Sequence, residues 1–537
     1  MRNPAWRECH GRRRSADRPA AAPERHHAQR GRPAPLTRRA TSDPVTRSAT
    51  TRSQHILLLA QVARLAISLF IAGLLGRHLP AADFGLVALI GAIFALSQDV
   101  LDMGTTAVAA REVARAPADE PQIMASLLAW RRWVAVALAA LCVALGFGPF
   151  ALADKPALLA ALAIAVWLLH LGAYHVVFQV RQAFGRATLL AMSTHVAFLI
   201  ACLVTVGLHG AGVAVAFAVV AREIVQVLGS RVIARRVLGY ALPKPSPDFE
   251  WRRLMRAAGV FGLTGVLYKL AQHSGNFFVW SMASPEALGS YSAAQRLVSP
   301  LRDVAWLFAT PLIATLTAMA EREPDEVVCQ LGSHARLLVG VAAAIGAAGV
   351  LVAPALLHWL YGERYSQGAL SALPSLRWQI LGACFALVTP ILVVGKLAFG
   401  RERDMLWMSL AALVIAAMAN AWAVPRYGAE GASAAYAVSE FALLALLWSR
   451  SALHGNGMLG ARLVLYLVPA VLVAASVSAL EASPALQFAV ACVLVILSFG
   501  VLSQLREQRE SRQNLKRAEG ALPALAIEPE LSREALS

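Results

Sequence analysis

Eleven polar residues stand inside runs that are otherwise apolar: Arg64, Asp99, Asp102, Lys269, Gln272, His273, Asn276, Arg296, Arg302, Asp303 and Glu440. A charge in such a run is costly, so it faces a partner, a cavity or an ion. The cations Arg64, Lys269, Arg296 and Arg302, with the amides Gln272 and Asn276, form a set that could bind an anionic group such as a phosphate. The carboxylates Asp99, Asp102, Asp303 and Glu440, with His273, form a set that could take up and release a proton or a cation. Lys269 heads the stripe YKLAQHSGN, in which Gln272, His273 and Asn276 follow at i+3, i+4 and i+7, on one helical face. A polar stripe facing lipid is unfavourable, so this face is expected to look inward. Plainer readings stand beside these. Arg64 and Lys269 can snorkel to an interface on their long stems. Arg302 and Asp303 can neutralise each other, Asp99 and Asp102 can partner Arg64 or Lys269, and His273 can be a satisfied buried histidine. Arg222 and Glu223 read as a structural pair near a helix end.

The elements that position these residues follow from composition. The 537-residue chain is 58% hydrophobic and 15% charged, with a mean hydropathy of +0.57. Soluble domains carry about a quarter charged residues. Only helices or closed barrels satisfy the backbone within a bilayer. The apolar runs are long, continuous and rich in Ala, Leu and Val, which excludes the alternation of barrel strands and indicates spanning helices. They fall at about 55–76, 84–108, 126–150, 157–179, 189–208, 211–230, 255–281, 287–318, 336–358, 375–397, 405–424, 429–449, 462–481 and 484–504. The fold class is therefore all-α, a polytopic membrane protein of about fourteen transmembrane helices. The net charge of +17 sits in loops and tails, where cytoplasmic loops are basic, so it does not indicate nucleic acid. Every second loop is basic, from Arg111 and Arg115 through Arg231, Arg235 and Arg236 to Arg401 and Arg403. The alternate loops, such as ADKP, LHG, SPEALG and EASP, are short and poor in charge. This alternation indicates that both termini lie in the cytoplasm; the expected location is the cell (inner) membrane.

An internal repeat organises the helices. LPAADFGLVALIGA from Leu79 resembles SPEALGSYSAAQRL from Ser284: a Pro turn, an acidic residue, then Gly near the start of a helix. LHGAGVAVAFAV from Leu208 resembles RYGAEGASAAYAV from Arg426. Six helices lie within one repeat, an even number that preserves orientation, as in parallel-repeat transporters. The expected organisation is an Arg-rich disordered tail over 1–53, a six-helix lobe over 54–240, and a cytoplasmic linker over 241–254. A second six-helix lobe follows over 255–450, then two further helices within 451–505 and a cytoplasmic tail over 506–537. The repeat also aligns charges. Arg64 and Lys269 each lie 16 residues before the Pro of their turn, and Asp99 and Asp303 each lie 14 after the matched Gly. Sixteen helical residues span about 24 Å, which sets both cations at the same depth.

Several chemistries are excluded. The chain has no GxxxxGK[ST] phosphate loop, no HExxH, no Cys/His cluster and no GxSxG elbow. The six cysteines form no CxxC pair and read as small buried hydrophobes. No metal and no cofactor is implied, and no catalytic residue stands out.

ARLAISLFIAGLLGRHLPAADFGLVALIGAIFAL, followed by LDMGTTAVAAREVAR, resembles the opening of the polysaccharide and oligosaccharide flippases. This is the O-antigen/lipopolysaccharide translocase type of the multidrug/oligosaccharidyl-lipid/polysaccharide exporter superfamily. ALGSYSAAQRLVSPLRDVAWLFATPLIATL is similar to the start of that family's second half, and GRERDMLWMSLAALVIAAMANAWAVPRYGAEGASAAYAVSE resembles its carboxyl-terminal region. The resemblance covers about residues 55–450. It implies two lobes facing each other across a central cavity and alternating access without hydrolysis. The implied cargo is a polyprenyl-pyrophosphate-linked oligosaccharide, an O-antigen or exopolysaccharide unit, carried across the cytoplasmic membrane. The bilayer and this lipid-linked glycan are the expected partners, with H+ or Na+ as the coupling ion and glycan polymerases or glycosyltransferases as neighbours. Three alternatives stay open: a drug/cation antiporter of the same superfamily, a membrane glycosyltransferase or glycan polymerase, and a nonenzymatic scaffold.

Overall fold

The computed structural model describes residues 44–449, apart from 151, 182, 209, 211, 242 and 244–250. The expected helices at 462–481 and 484–504 and most of both tails lie outside the described residues. Each of the twelve apolar segments expected between 55 and 449 is helical, and the described residues contain no β-strand.

The first half consists of α1 (Pro44–His78), α2 (Ala81–Asp102), α3 (Thr105–Arg115), α4 (Glu120–Phe147), α5 (Pro156–Leu168), α6 (Tyr174–Val180), α7 (Phe184–Gly207) and α8 (Gly212–Val232). The second half consists of α9 (Trp251–Met282), α10 (Pro285–Ala320), α11 (Pro324–Tyr361), α12 (Glu363–Ser366), α13 (Leu373–Ala398) and α14 (Glu402–Ser449). Proline sets several starts: Pro80 precedes α2, and Pro156, Pro285 and Pro324 open α5, α10 and α11, where a missing N–H costs nothing. The Ser284 hydroxyl caps α10 by accepting from the Ala287 N–H at 3.1 Å, a bond of about 1 kcal/mol. Pro300, Pro311, Pro354 and Pro390 lie inside helices, a pattern that membrane helices tolerate.

One segment differs in detail from the apolar pattern. The run at 84–108 is broken: α2 ends at Asp102, Met103 and Gly104 both take positive φ (39° and 72°), and α3 begins at Thr105. Hydropathy does not register this corner because Met and Gly are both apolar. The runs at 405–424 and 429–449 are two helical arms, numbered together as α14, that part at Gly428, whose φ of 55° and ψ of −127° are open to a residue without Cβ.

Within the first half α7 packs on α1 and α8, and α5 on α4 and α8; within the second, α14 packs on α9 and α13, and α13 on α10 and α11. The halves meet mainly where α2 lies against α10 and α9, and where α1 lies against α10 and α11. At the end that carries the Pro80 and Pro285 turns, Phe84, Tyr361 and Tyr365 form a cluster of three rings 5.6–5.9 Å apart. The same end is tied by Arg77, which donates to the Leu360 carbonyl at 3.0 Å and to that of Trp359, and by Arg364, which donates to the Leu79 carbonyl at 2.5 Å.

Large apolar side chains point outward. Trp133 is 74% exposed, Trp359 72% and Leu208 77%, and α7 turns Leu189, Ile200, Leu203 and Val204 outward along its length. Such a continuous apolar exterior is far larger than a soluble protein leaves to water. Eight helical stretches among the described residues are long and apolar enough to cross a bilayer. This is a multi-pass membrane protein.

Candidate functional site

The most buried carboxylate among the described residues is Glu440 on the second arm of α14, 2% exposed. Gln272 Nε2 and Tyr268 OH of α9 donate to its Oε1 at 3.3 and 3.4 Å. Its Oε2 makes no hydrogen bond among the described residues. The stripe read from the sequence turns inward: Gln272 and Asn276 are buried against α14, and His273 beside them is half-buried. Asn420, from the first arm of α14, donates through Nδ2 to Ser274 Oγ at 3.2 Å and to the Ala416 carbonyl at 2.8 Å. Asn276 Oδ1 and Asn420 Oδ1 make no hydrogen bond among the described residues. Three buried acceptor oxygens therefore gather around residues 272–276 of α9.

Cations surround this acceptor group. The Arg302 guanidinium lies 5.6 Å from the centre of the Tyr436 ring and interacts electrostatically with Glu440 and with exposed Asp303. Lys269 is within electrostatic range of Glu440 and, across the boundary between the halves, of Asp99 of α2, and makes no ion pair with either. Asp102 goes elsewhere: Arg131 of α4, with a side chain only 4% exposed, donates to it at 2.5 Å, as does the Thr106 hydroxyl. Arg131 lies inside α4, within the run expected at 126–150, and apolar composition does not show that it is buried.

A second group of cations straddles the halves. Arg296 of α10 is half-buried with its guanidinium 5.4 Å from the centre of the Phe84 ring, and has no ion pair among the described residues. Its electrostatic neighbours are Tyr361 and Cys202 rather than a carboxylate. Cys202 of α7 is also within reach of the Arg222 charge, and Arg222 and half-buried Arg64 both act on His195. Arg222 pairs with Glu223 at 2.8 Å and stacks on Phe94 and Phe198 at 4.9 and 5.6 Å. The pair is structural as read, but it also sets a guanidinium beside the others. Adjacency to a carboxylate had concealed Arg222, and only the α7–α8 packing reveals its place.

The arrangement can hold an anion at Arg64, Arg222 and Arg296, and a proton or small cation at Glu440 and its neighbouring oxygens. It has no nucleophile poised beside a base. The described residues thus form an all-α membrane bundle with charged groups gathered where its halves meet. Residues 51–316 match the model of the family described as "Polysaccharide biosynthesis protein". Among solved structures, the lipid II flippase MurJ in an inward closed conformation superposes with a TM-score of 0.65 at 11% identity, covering 83% of this chain and 98% of that one. An inward-facing multidrug resistance MATE family transporter gives a TM-score of 0.57 at 14% identity, over 75% and 98% of the two chains. A MOP superfamily transporter from Pyrococcus furiosus gives 0.50 at 16% identity, over 76% and 94%. No curated protein gives a significant sequence match.

Proposed function

We propose that this protein flips a polyprenyl-pyrophosphate-linked oligosaccharide across the cytoplasmic membrane by alternating access, without chemistry on the cargo. The carrying observation is Arg296: a cation between the halves with an aromatic ring beside it and no carboxylate to neutralise it among the described residues. A diphosphate head group cannot enter hydrocarbon unaided. Arginine's planar fork suits phosphate oxygens, and Arg64 and Arg222 extend the positive region. The two lobes, 54–240 and 255–450 joined through 241–254, would rock about this region. The basic loops support both termini lying in the cytoplasm, at an inner membrane, and in that orientation the Pro80 and Pro285 turns face outward. Deleting the gene should cause lipid-linked oligosaccharide to accumulate in the inner leaflet with loss of surface glycan; unchanged glycan and no accumulation would remove this reading. Adjacent glycosyltransferase genes would be its natural partners.

Glu440 is the proposed coupling site, for H+ or Na+; Asp99, Asp303 and His273 share with it the cations Lys269 and Arg302, and Asp102 is committed to Arg131. Glu440→Gln keeps the size and one acceptor but cannot exchange charge. Transport driven by an imposed ion gradient should fall about tenfold or more, the effect of 1.4 kcal/mol, while gradient-free exchange persists. Equal loss in both assays would assign Glu440 to cargo binding instead. Lys269→Ala should impair surface-glycan export while leaving membrane insertion intact, and normal glycan in that variant would take Lys269 out of the mechanism. The second reading is a drug/cation antiporter, favoured by the buried carboxylate of Glu440. It would show as gradient-driven efflux of an organic cation.

A further inference from the structure

At both ends of α2 the halves touch backbone to backbone, and each contact depends on a missing side chain. At the proline-turn end, a methyl group on Gly85 would lie 1.9 Å from the Pro285 carbonyl oxygen, and one on Gly289 would lie 2.7 Å from that of Ala81. The contact is reciprocal. The repeat offset of 204 residues relates Gly85 to Gly289 and also Ala81 to Pro285. Each glycine is therefore seated on the turn of the other repeat, as in an isologous interface. At the opposite end, a methyl group on Gly262 of α9 would lie 1.9 Å from the Met103 carbonyl oxygen. That carbonyl sits on the positive-φ corner between α2 and α3, and the corner is pinned by Arg131 through Asp102 and Thr106. Close approach is not general to these helices: a methyl on Gly91 of α2, or on Gly259 or Gly265 of α9, would meet nothing within 4 Å.

In all three contacts the neighbour is a backbone carbonyl, which cannot rotate aside as a side chain can. The contact is made or it is broken. The 22 residues of α2 extend about 33 Å, which matches the thickness of the hydrocarbon core. A single unbroken helix thus carries a contact to α10 at one face of the membrane and to α9 at the other.

We propose that α2 is the shared gating element of the transport cycle. The reciprocal Gly85/Gly289 crossing is the latch on the proline-turn side, and the Gly262–Met103 contact is the latch on the opposite side. Both are shut in this structure, and the path opens on whichever side parts its latch. The inference rests on the transport reading for its purpose, but not on the identity of the cargo.

The test uses the full-length protein in nanodiscs, with native cysteines replaced and pairs of spin labels measured by pulsed electron resonance. Asp154→Cys with Gln367→Cys reports the proline-turn side, and Arg186→Cys with Arg322→Cys reports the other; all four positions are exposed. Gly85→Val should shift the 154–367 distribution to longer distance and leave 186–322 in place. Gly262→Val should do the reverse. Gly91→Val and Gly265→Val, which enter open space, should move neither. The proposal is overturned if Gly85→Val leaves 154–367 unchanged in protein that elutes as a single species, or if either latch variant shifts both pairs. Should Gly85→Val fail to fold, Gly289→Ala, the milder intrusion, is read against the same two outcomes. Because these distances need no substrate, intact latch behaviour in a protein that moves no glycan would refute the cargo and not the gate.

Discussion

Arg296→Ala lowers transport of a lipid-linked oligosaccharide by roughly 30-fold or more while leaving the fold intact. Removing one partner of a desolvated charge pair costs about 2–5 kcal/mol, and 2 kcal/mol corresponds to roughly 30-fold. The variant should stay folded because Arg296 holds no carboxylate among the described residues: its contact is the face of Phe84, worth about 0.5–2 kcal/mol. Losing the cation also relieves the cost of keeping it half-buried. Arg296→Lys retains the charge but not the planar fork, and should fall between wild type and Ala. The comparison with Lys269→Ala is informative, because Lys269 lies within electrostatic range of Asp99 and Glu440. Its removal leaves Asp99 without its cationic neighbour, while Glu440 keeps Arg302, so it should lower stability as well as flux. Flux in proteoliposomes and thermal unfolding in detergent, measured on the same preparations, separate the two. If Arg296→Ala transports at the wild-type rate, the anion site is elsewhere.

Asp102→Ala destabilises the protein by about 3–5 kcal/mol, the cost of leaving a buried charge without its partner. The pair is asymmetric: the Arg131 side chain is 4% exposed and that of Asp102 46%. Taking away the carboxylate strands a guanidinium among Thr105, Thr106 and the walls of α4, whereas Arg131→Met leaves a carboxylate that water can reach. Arg131→Met should therefore cost much less than Asp102→Ala, although both delete the same ion pair. Equal losses in thermal unfolding would show that the pair itself, not the burial of Arg131, sets the energy. Both variants should also loosen the Met103 corner, which sits next to the residue they disturb.

What could be read from the sequence is what is local. Apolar runs gave the positions of the long helices but not the α2–α3 corner or the short α12, and the i+3, i+4, i+7 spacing after Lys269 gave the inward face of α9, because both are properties of one helix. The repeat between Leu79 and Ser284 pointed to matched turns, and the structure seats Gly85 and Gly289 on each other's backbone. Pairings across many residues were not legible. Arg131 meets Asp102 across 29 residues and Gln272 meets Glu440 across 168. Neither partner carries a local mark of its choice, so Asp102 and Asp99 looked equivalent in sequence although one is pinned within the first half and the other faces Lys269. Asn420 was missed for the same reason: a lone amide in an Ala-rich run becomes notable only when the two arms of α14 part at Gly428 and both lie along α9.

The central claim is that the cargo is a pyrophosphate-linked glycan moved between leaflets. The most direct measurement reconstitutes the full-length protein in liposomes loaded symmetrically with a polyprenyl-pyrophosphate oligosaccharide. After the outward-facing head groups are modified with a membrane-impermeant reagent, the remainder is followed over time. The account predicts that the protected half becomes reactive at a rate that scales with protein and falls in Arg296→Ala. Head groups that stay protected in the presence of folded wild-type protein, while an organic cation is carried across the same vesicles, would contradict it.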